Sequence, residues 1–372
     1  MIHILGQIIA ELFFMVWDIY WGLAFGFILS SLIRAFVPAE TISSRLGKNN
    51  LTSLGMAAFF GAISSSCSYA AASMARTLKI KGSTWSNAVA FMVSSTNLVF
   101  EIFIVIVTLL GWSFFGAEVA GGIFFIFISA GLVAYFYPRK IKSDGDKHLE
   151  NAEQIHNDHT HQHSHKHASM RQTNILTSKL AEASVHFYMD VTMVGKDIFF
   201  GVIIASILMA LVPQTFWNAL FLAHNDSIPH FAVLLWNVLM GVIIGIVSFV
   251  CSVGNIVMAT VFWHGGISFG GVIAFILADL VTVPMLAVYR RYYGMKTMVT
   301  LLFFLSVSII VSGLLVDVTF NLLGWIPKHP PGDYTMTHKT IVWNYETILN
   351  IIFVPLSVAY FFWGKQRSKM NI

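Results

Sequence analysis

The sequence predicts an all-α polytopic membrane protein with two inverted-topology repeats, each containing a broken re-entrant helix hairpin. The chain of 372 residues is 56% hydrophobic and only 11% charged, whereas soluble globular chains carry about 25% charged residues. Long apolar runs recur along the chain, and a helix needs roughly 20 apolar residues to cross the hydrocarbon. The only two cysteines each precede a serine, and they occupy equivalent places in two similar halves of the chain.

A polar segment separates these halves. We therefore expect a first membrane repeat at 1–137, a cytoplasmic His-rich linker at 138–186 and a second membrane repeat at 187–372. An ungapped offset of 184 residues pairs Cys67 with Cys251 and carries many small residues with it. Internal repeats of this kind are common in secondary transporters.

Lys and Arg residues predict the orientation, because cytoplasmic loops carry an excess of both. They cluster at 34–48, 76–81, 139–179, 290–296 and 365–369. These five clusters can all face the cytoplasm only if residues 51–80 enter and leave the membrane on the same side. We therefore predict a re-entrant hairpin at 51–80 and a partner hairpin at 232–264 that enters from the outside. The N-terminus is then outside, and the linker and C-terminus are cytoplasmic. The full spans are expected at 10–36, 84–110, 113–137, 190–213, 269–289, 297–323 and 342–364.

Several stretches resemble the predicted permease family that includes the organoarsenical-efflux permeases. They are FVPAETISSRLG, GAISSSCSYAAASMARTLKIKGSTWSNAVAFMVSSTNL and CSVGNIVMATVFWHGGISFGGVIAFILADLVTVP. The resemblance implies a permease of the cytoplasmic (inner) membrane and, for some members, export of trivalent organoarsenicals. This chain has Tyr69 where members often carry a second cysteine.

The two Cys-Ser motifs are the first candidate site. Non-helical backbone at membrane depth is tolerated only where it is buried in protein or lines a cavity, so both motifs should border a central cavity. Thiolates suit thiophilic metals and metalloids, although a buried cysteine also packs as a small hydrophobe. The expected substrate-binding residues are Ser66, Cys67, Ser68, Asn97, Cys251, Ser252, Asn255 and Asp279.

Acidic residues within apolar runs are the second candidate. Charged groups inside a membrane are costly and often functional, so Glu101 and Asp279 are candidates for coupling transport to protons. Each could instead be satisfied by a neighbour in the helix bundle. Asp18 and Asp317 also fall in apolar runs, and Arg76 could pair with an acid or attract an anionic substrate.

The third candidate is the histidine run of the linker. Imidazole binds zinc, copper and nickel, so the loop could hold such a divalent metal although no cofactor is required. A linker that binds metal only incidentally would have the same composition. The histidines are His156, His159, His161, His163, His165 and His167.

The sequence contains no HExxH, GxSxG, phosphate-loop or dinucleotide-binding motif, so we do not expect an enzyme. The net charge of +4 gives no case for a nucleic-acid partner. We expect a secondary-type permease in the lipid bilayer that exports a metal ion, metalloid or organometalloid by alternating access. The alternatives are a permease for another small solute, or a non-transporting membrane subunit or metal sensor of a larger complex with a partner subunit.

Overall fold

The computed structural model describes most of the two apolar halves. The described residues are scattered positions between 13 and 32, and then 47–48, 50–64, 68–80, 82–138, 140–145, 179–188, 191–192, 203, 214–222, 229–248, 252–327 and 345–370. Within these residues the protein is helical and has no β-strand. The helices are α1 Leu51–Ser64, α2 Ser68–Ile80, α3 Trp85–Asn97, α4 Phe100–Leu109, α5 Trp112–Phe136, α6 Gln214–Leu220, α7 His230–Val247, α8 Ser252–His264, α9 Phe269–Leu277, the 3₁₀ turn η1 Ala278–Val281, α10 Val283–Tyr293, α11 Met295–Leu322 and α12 Tyr345–Met370.

Five stretches of the described helices are long and apolar enough to cross a membrane. They are Trp112–Phe136, His230–Val247, Phe269–Tyr293, Met295–Leu322 and Thr347–Ser368. Helices α3 and α4 together make a sixth apolar unit, bent by 42°. The predicted spans 84–110, 113–137, 269–289, 297–323 and 342–364 coincide with these helices, whereas 10–36 and 190–213 lie largely outside the described residues. The protein is therefore an all-α, multi-pass membrane protein.

Helices α1 and α2 form the arms of a hairpin on either side of the first Cys-Ser motif. Asn87 of α3 donates from Nδ2 to Ser53 Oγ of α1 at 3.3 Å, and further along both helices Gly61 meets Phe91. These contacts make α1 parallel to α3, while α2 joins α3 through a short turn and runs the opposite way. With 14 and 13 residues, the arms are about 20 Å long, which is short of the roughly 30 Å hydrocarbon thickness. The chain thus returns to the level at which the hairpin began.

The same local structure recurs 184 residues later. Gly82 and Gly266 both adopt a positive φ, 93° and 92°, in a left-handed region that favours glycine. Each is followed by a side-chain N-cap, Thr84 for α3 and Ser268 for α9, which satisfies a backbone N–H at the helix start. Tight packing recurs at the same offset, since Gly61 meets Phe91 and Gly245 meets Phe275.

The second hairpin begins close to its predicted start at 232, and its first arm is longer than that of the first hairpin. Helix α7 has 18 residues and starts after Pro229, so it is long enough to span the hydrocarbon rather than being a half-helix. The apolar run that follows Pro229 has no break before Ser248, which explains the longer helix. Gly241 meets Gly271 and Gly245 meets Ala278, so α7 still runs parallel to α9.

Helices α5 and α11 occupy corresponding positions in the two halves and run antiparallel. Gly116 lies beside Phe320, and Gly121 lies beside Val316. Antiparallel packing of corresponding helices is what an inverted repeat requires. Inversion of the complete halves, like the domain boundaries at 137 and 186, stays a prediction.

The core centres on α3 and α9. Every residue of Trp85–Asn97 is buried, as is every residue of Phe269–Val281. A helix buried on all faces belongs to the interior of a bundle rather than to its lipid surface. The polar ends of these two helices therefore lie inside the protein.

Candidate functional site at the two helix breaks

Each buried central helix is interrupted at an equivalent point. Helix α3 ends at Asn97 and α4 begins at Phe100, with Val99 extended between them. Helix α9 ends at Leu277 and is followed by η1. Helix α10 comes next and has Pro284 in its first turn. Proline has no N–H and is tolerated at a helix start but not in its interior. Such breaks expose backbone donors and acceptors, as in the binding sites of many transporters.

Ser68 connects the first Cys-Ser motif to the break of the second half. Its Oγ donates a hydrogen bond to Oδ2 of Asp279 at 3.0 Å, across 211 residues of sequence. Both residues are buried, and a hydrogen bond to a charged acceptor is stronger than a neutral one. Two predicted site residues from opposite halves are thus in direct contact.

The SSTN sequence before the first break is largely satisfied within its own helix. Ser94 donates to the Phe91 carbonyl at 3.1 Å, and Thr96 donates to the Val93 carbonyl at 3.2 Å. Asn97 donates from Nδ2 to the same Val93 carbonyl at 3.1 Å, but its buried Oδ1 has no hydrogen-bond partner among the described residues. Asn97 Oδ1 is therefore an acceptor available to a ligand.

Asn255 links the helices on either side of the second Cys-Ser motif. Its Oδ1 accepts a hydrogen bond from Ser248 Oγ at 3.2 Å. Its side chain is fully buried, and its Nδ2 has no hydrogen-bond partner among the described residues. Asn255 thus fixes the end of α7 against α8 and keeps one donor available.

Two other acids of the sequence analysis have different surroundings. Glu101 is buried in the first turn of α4, a position where the helix dipole stabilises negative charge. Asp317 accepts from the backbone N–H of Gly270 at 2.7 Å through its Oδ2, which satisfies one donor at the start of α9. Asp317 therefore has a structural function, and Asp18 lies outside the described residues.

Tyr289 is a contributor to the break that the sequence analysis missed. Its fully buried hydroxyl donates to the Leu280 carbonyl at 3.0 Å, and the Met92 sulfur lies 3.4 Å from the same oxygen. The contact satisfies a carbonyl in η1 and ties α10 to α3. An aromatic in an apolar run gives no sequence signal for such a bond.

Glu118 of α5 is a second residue that the sequence analysis missed. The 184-residue offset pairs it with Leu302 and no polar motif surrounds it, so the repeat gave no reason to select it. Its position inside an apolar run was the available signal. The carboxyl is fully buried.

Arg76 of α2 contacts the second half of the protein at α10. Its guanidinium carbon is 5.1 Å from the centroid of the Tyr292 ring, a cation–π contact between the first hairpin and α10. Its buried Nε has no hydrogen-bond partner among the described residues. Arg76 therefore contributes to the packing of α2 on the second half.

The predicted sulfur and imidazole ligands lie outside the described part of the chain. These are Cys67, Cys251 and the histidines from His156 to His167. Ser66 and the side chain of Ser252, which were predicted to bind substrate, also lie there. Among the residues that the structure does describe, no group of three or more His, Cys, Asp or Glu could hold a metal ion. The metal-binding roles of these side chains stay predictions.

Comparison with known proteins agrees with the fold. The sequence matches the ArsP_1 family, described as predicted permeases, over residues 4–318. It is 38% identical over 333 residues to a protein of Mycobacterium tuberculosis whose name, permease Rv2963, gives no substrate; the match covers 87% of this chain and 79% of that protein. No solved structure matches the chain. The protein therefore belongs to the ArsP_1 family of predicted permeases.

Proposed function

We propose that this permease is of the secondary type and exports a metal ion, metalloid or organometalloid from the cytoplasm by alternating access. The observation that carries the proposal is the hydrogen bond from Ser68 to Asp279. It joins the tip of one hairpin to the broken helix of the other half. In alternating access the two halves move relative to each other around a central site. A buried polar contact between the halves is therefore where a substrate would act.

The polar groups around the breaks support a binding site there. Asn97 Oδ1 is an available acceptor and Asn255 Nδ2 an available donor, and both residues are fully buried. A buried polar group without a partner is costly. A substrate that supplied the missing hydrogen bonds would recover part of that cost.

The substrate class rests on the sequence. The paired Cys67 and Cys251 would offer two soft sulfur ligands, which suit thiophilic metals and metalloids. The histidine run of the linker would bind divalent metal on the cytoplasmic side. The resemblance to organoarsenical-efflux permeases points in the same direction.

The test is the metal and metalloid content of cells, measured by mass spectrometry. Cells expressing the protein are challenged with zinc, copper, nickel, cobalt, arsenite or methylarsenite. They are compared with cells expressing the double variant Cys67→Ser/Cys251→Ser and a variant without residues 156–167. We expect one element to fall in the wild type and to recover in the double variant. Unchanged content for every element would contradict the metal assignment.

A permease for another small polar solute is the second candidate. The observation in its favour is that the described part of the site offers hydroxyl, amide and carboxyl groups, those of Ser68, Asn97 and Asp279. In that case the double cysteine variant would transport as well as the wild type. Loss of transport in Asp279→Asn would still locate the site at the breaks.

A further inference from the structure

Glu118 has surroundings that no structural function explains. It lies in the interior of α5, fully buried, and neither carboxyl oxygen has a hydrogen-bond partner among the described residues. Asp317, by comparison, is bound to the N–H of Gly270. An ionised carboxylate without a partner is strongly disfavoured in an apolar interior, so Glu118 is most stable with a proton.

The face of α5 that carries Glu118 packs on both helix breaks. Gly121 and Gly122 lie three and four residues further along, and residues at these spacings share a helix face. Gly121 brings α5 against Leu277 at the end of α9, and Gly122 brings it against Leu98 at the first break. Small residues at these positions allow the close approach.

Asp279 is the acid at the second break. It lies in η1, two residues after the Leu277 side chain that Gly121 approaches, and is itself buried. Two carboxyl groups that interact in a medium of low dielectric do not both ionise readily. Because Ser68 donates to Asp279, the negative charge is better stabilised on Asp279 and the proton on Glu118.

The helices packed against α5 carry few other titratable groups. The packed helices are α3, α4, α9 and α11, and α3 and α9 contain no titratable residue. Glu101 lies in the first turn of α4. On α11, Lys296 pairs with Asp144 at an exposed end, 3.0 Å apart, and Asp317 caps α9.

We propose that Glu118 and Asp279 form a carboxyl pair that binds one exchangeable proton in the resting protein and couples permeation to proton movement. Transfer of this proton from Glu118 to Asp279 converts the Asp279 carboxylate to a neutral acid and weakens its hydrogen bond from Ser68, because neutral acceptors bind less strongly. Proton binding thus loosens a contact between the two halves. Release of that proton restores the contact. The coupling role rests on the proposed transport function, whereas the proton on Glu118 does not.

The first test measures the proton directly. Infrared difference spectra of the full chain in lipid vesicles, recorded in H₂O and D₂O, should contain the C=O band of a protonated carboxyl. We expect Glu118→Gln to lose this band and Asp317→Asn, a variant of another buried acid in a neighbouring helix, to retain it. A band that persists unchanged in Glu118→Gln would overturn the proposal. No substrate is needed, so this result is independent of the proposed function.

The second test measures coupling. Vesicles containing the protein and a pH-sensitive dye receive methylarsenite as the probe, with arsenite and zinc in parallel. We expect the wild type to move protons with the probe, Glu118→Gln to lose the proton flux, and Glu118→Asp, which keeps a titratable group, to retain it. Proton flux that persists in Glu118→Gln, or probe flux that requires sodium instead, would overturn the coupling.

A wild type that moves none of the probes would count against the proposed substrates, and the infrared result would still decide whether Glu118 holds the proton. Thermal unfolding of each variant checks its folding. If Glu118→Gln proves unstable, Glu118→Asp is measured in its place. The C=O band of its shorter acid should shift in frequency, and an unshifted band would overturn the proposal.

Discussion

At the residue scale, the contact between Ser68 and Asp279 is the feature on which the site depends. Neither residue is unusual for its own segment, since serines are common in membrane helices and an acid can be satisfied in a bundle. Their 3.0 Å hydrogen bond makes them one unit across the two halves. A bond to a charged group contributes about 1.5–3 kcal/mol, enough to influence which relative position of the halves is favoured.

We predict that Ser68→Ala lowers transport and destabilises the protein by about 1–3 kcal/mol, because Asp279 loses one donor. Efflux of the transported element and thermal unfolding in detergent measure the two effects. The matched control is Ser73→Ala, which changes an exposed serine on the same helix and should alter stability by less than about 0.5 kcal/mol. Equal effects of the two variants would show that the bond does not contribute.

At the element scale, close glycine contacts hold each hairpin against its central helix. A Cβ on Gly61 would collide with the Phe91 carbonyl oxygen and Ser94 Oγ, and a Cβ on Gly245 would collide with Ala278. In membranes such small residues let helices approach closely enough for dispersion contacts to stabilise them. The position of Ser68 beside Asp279 therefore depends on Gly61, on the other arm of its hairpin, and on Gly245, which packs against Ala278 next to Asp279.

We predict that Gly61→Ala destabilises the protein by about 1–3 kcal/mol, because the added methyl group must displace backbone of α3. Gly55→Ala is the control on the same helix, since a Cβ there meets nothing within 4 Å. Alanine is favoured over glycine in a helix by about 1 kcal/mol, so Gly55→Ala should leave the unfolding temperature unchanged or raise it. A lower unfolding temperature for Gly55→Ala than for Gly61→Ala would contradict the packing described above.

At the scale of the whole molecule, the antiparallel pairing of α5 and α11 separates two ends of the protein. The start of α5 at Trp112 lies near Phe320, as the contact of Gly116 with Phe320 indicates. The start of α11 at Met295 lies at the other end, beside Arg291 and the pair Asp144–Lys296. Basic residues favour the cytoplasmic side, so the Met295 end should face the cytoplasm.

We predict that cysteine labelling in the Cys67→Ser/Cys251→Ser background will show this orientation. Met295→Cys and Trp112→Cys replace side chains that are 54% and 73% exposed. A membrane-impermeant maleimide should label Trp112→Cys in intact cells and Met295→Cys only after the membrane is opened. The reverse pattern would overturn the orientation, and labelling of both from one side would overturn the antiparallel spans.

The sequence alone determined the features that depend on local chemistry. Hydropathy located the described spans because each helix must match the hydrocarbon by itself. The offset of 184 residues located the repeated turn at Gly82 and Gly266, because a left-handed backbone selects glycine wherever it occurs. The second hairpin was predicted to begin at 232, and α7 begins two residues earlier, at His230, because Pro229 precedes an uninterrupted apolar run.

Only the tertiary structure decided which buried polar atoms meet. The repeat offset pairs Asp279 with Ser95, but Ser95 bonds within its own helix and Asp279 contacts Ser68. In the sequence, Glu118 is one of several acids in apolar segments. Only the packing shows that neither of its carboxyl oxygens has a hydrogen-bond partner among the described residues. Hydropathy measures how apolar a segment is. A hydrogen bond between segments far apart in sequence depends instead on a distance of a few ångströms between two atoms. Those distances arise only when the two halves pack together.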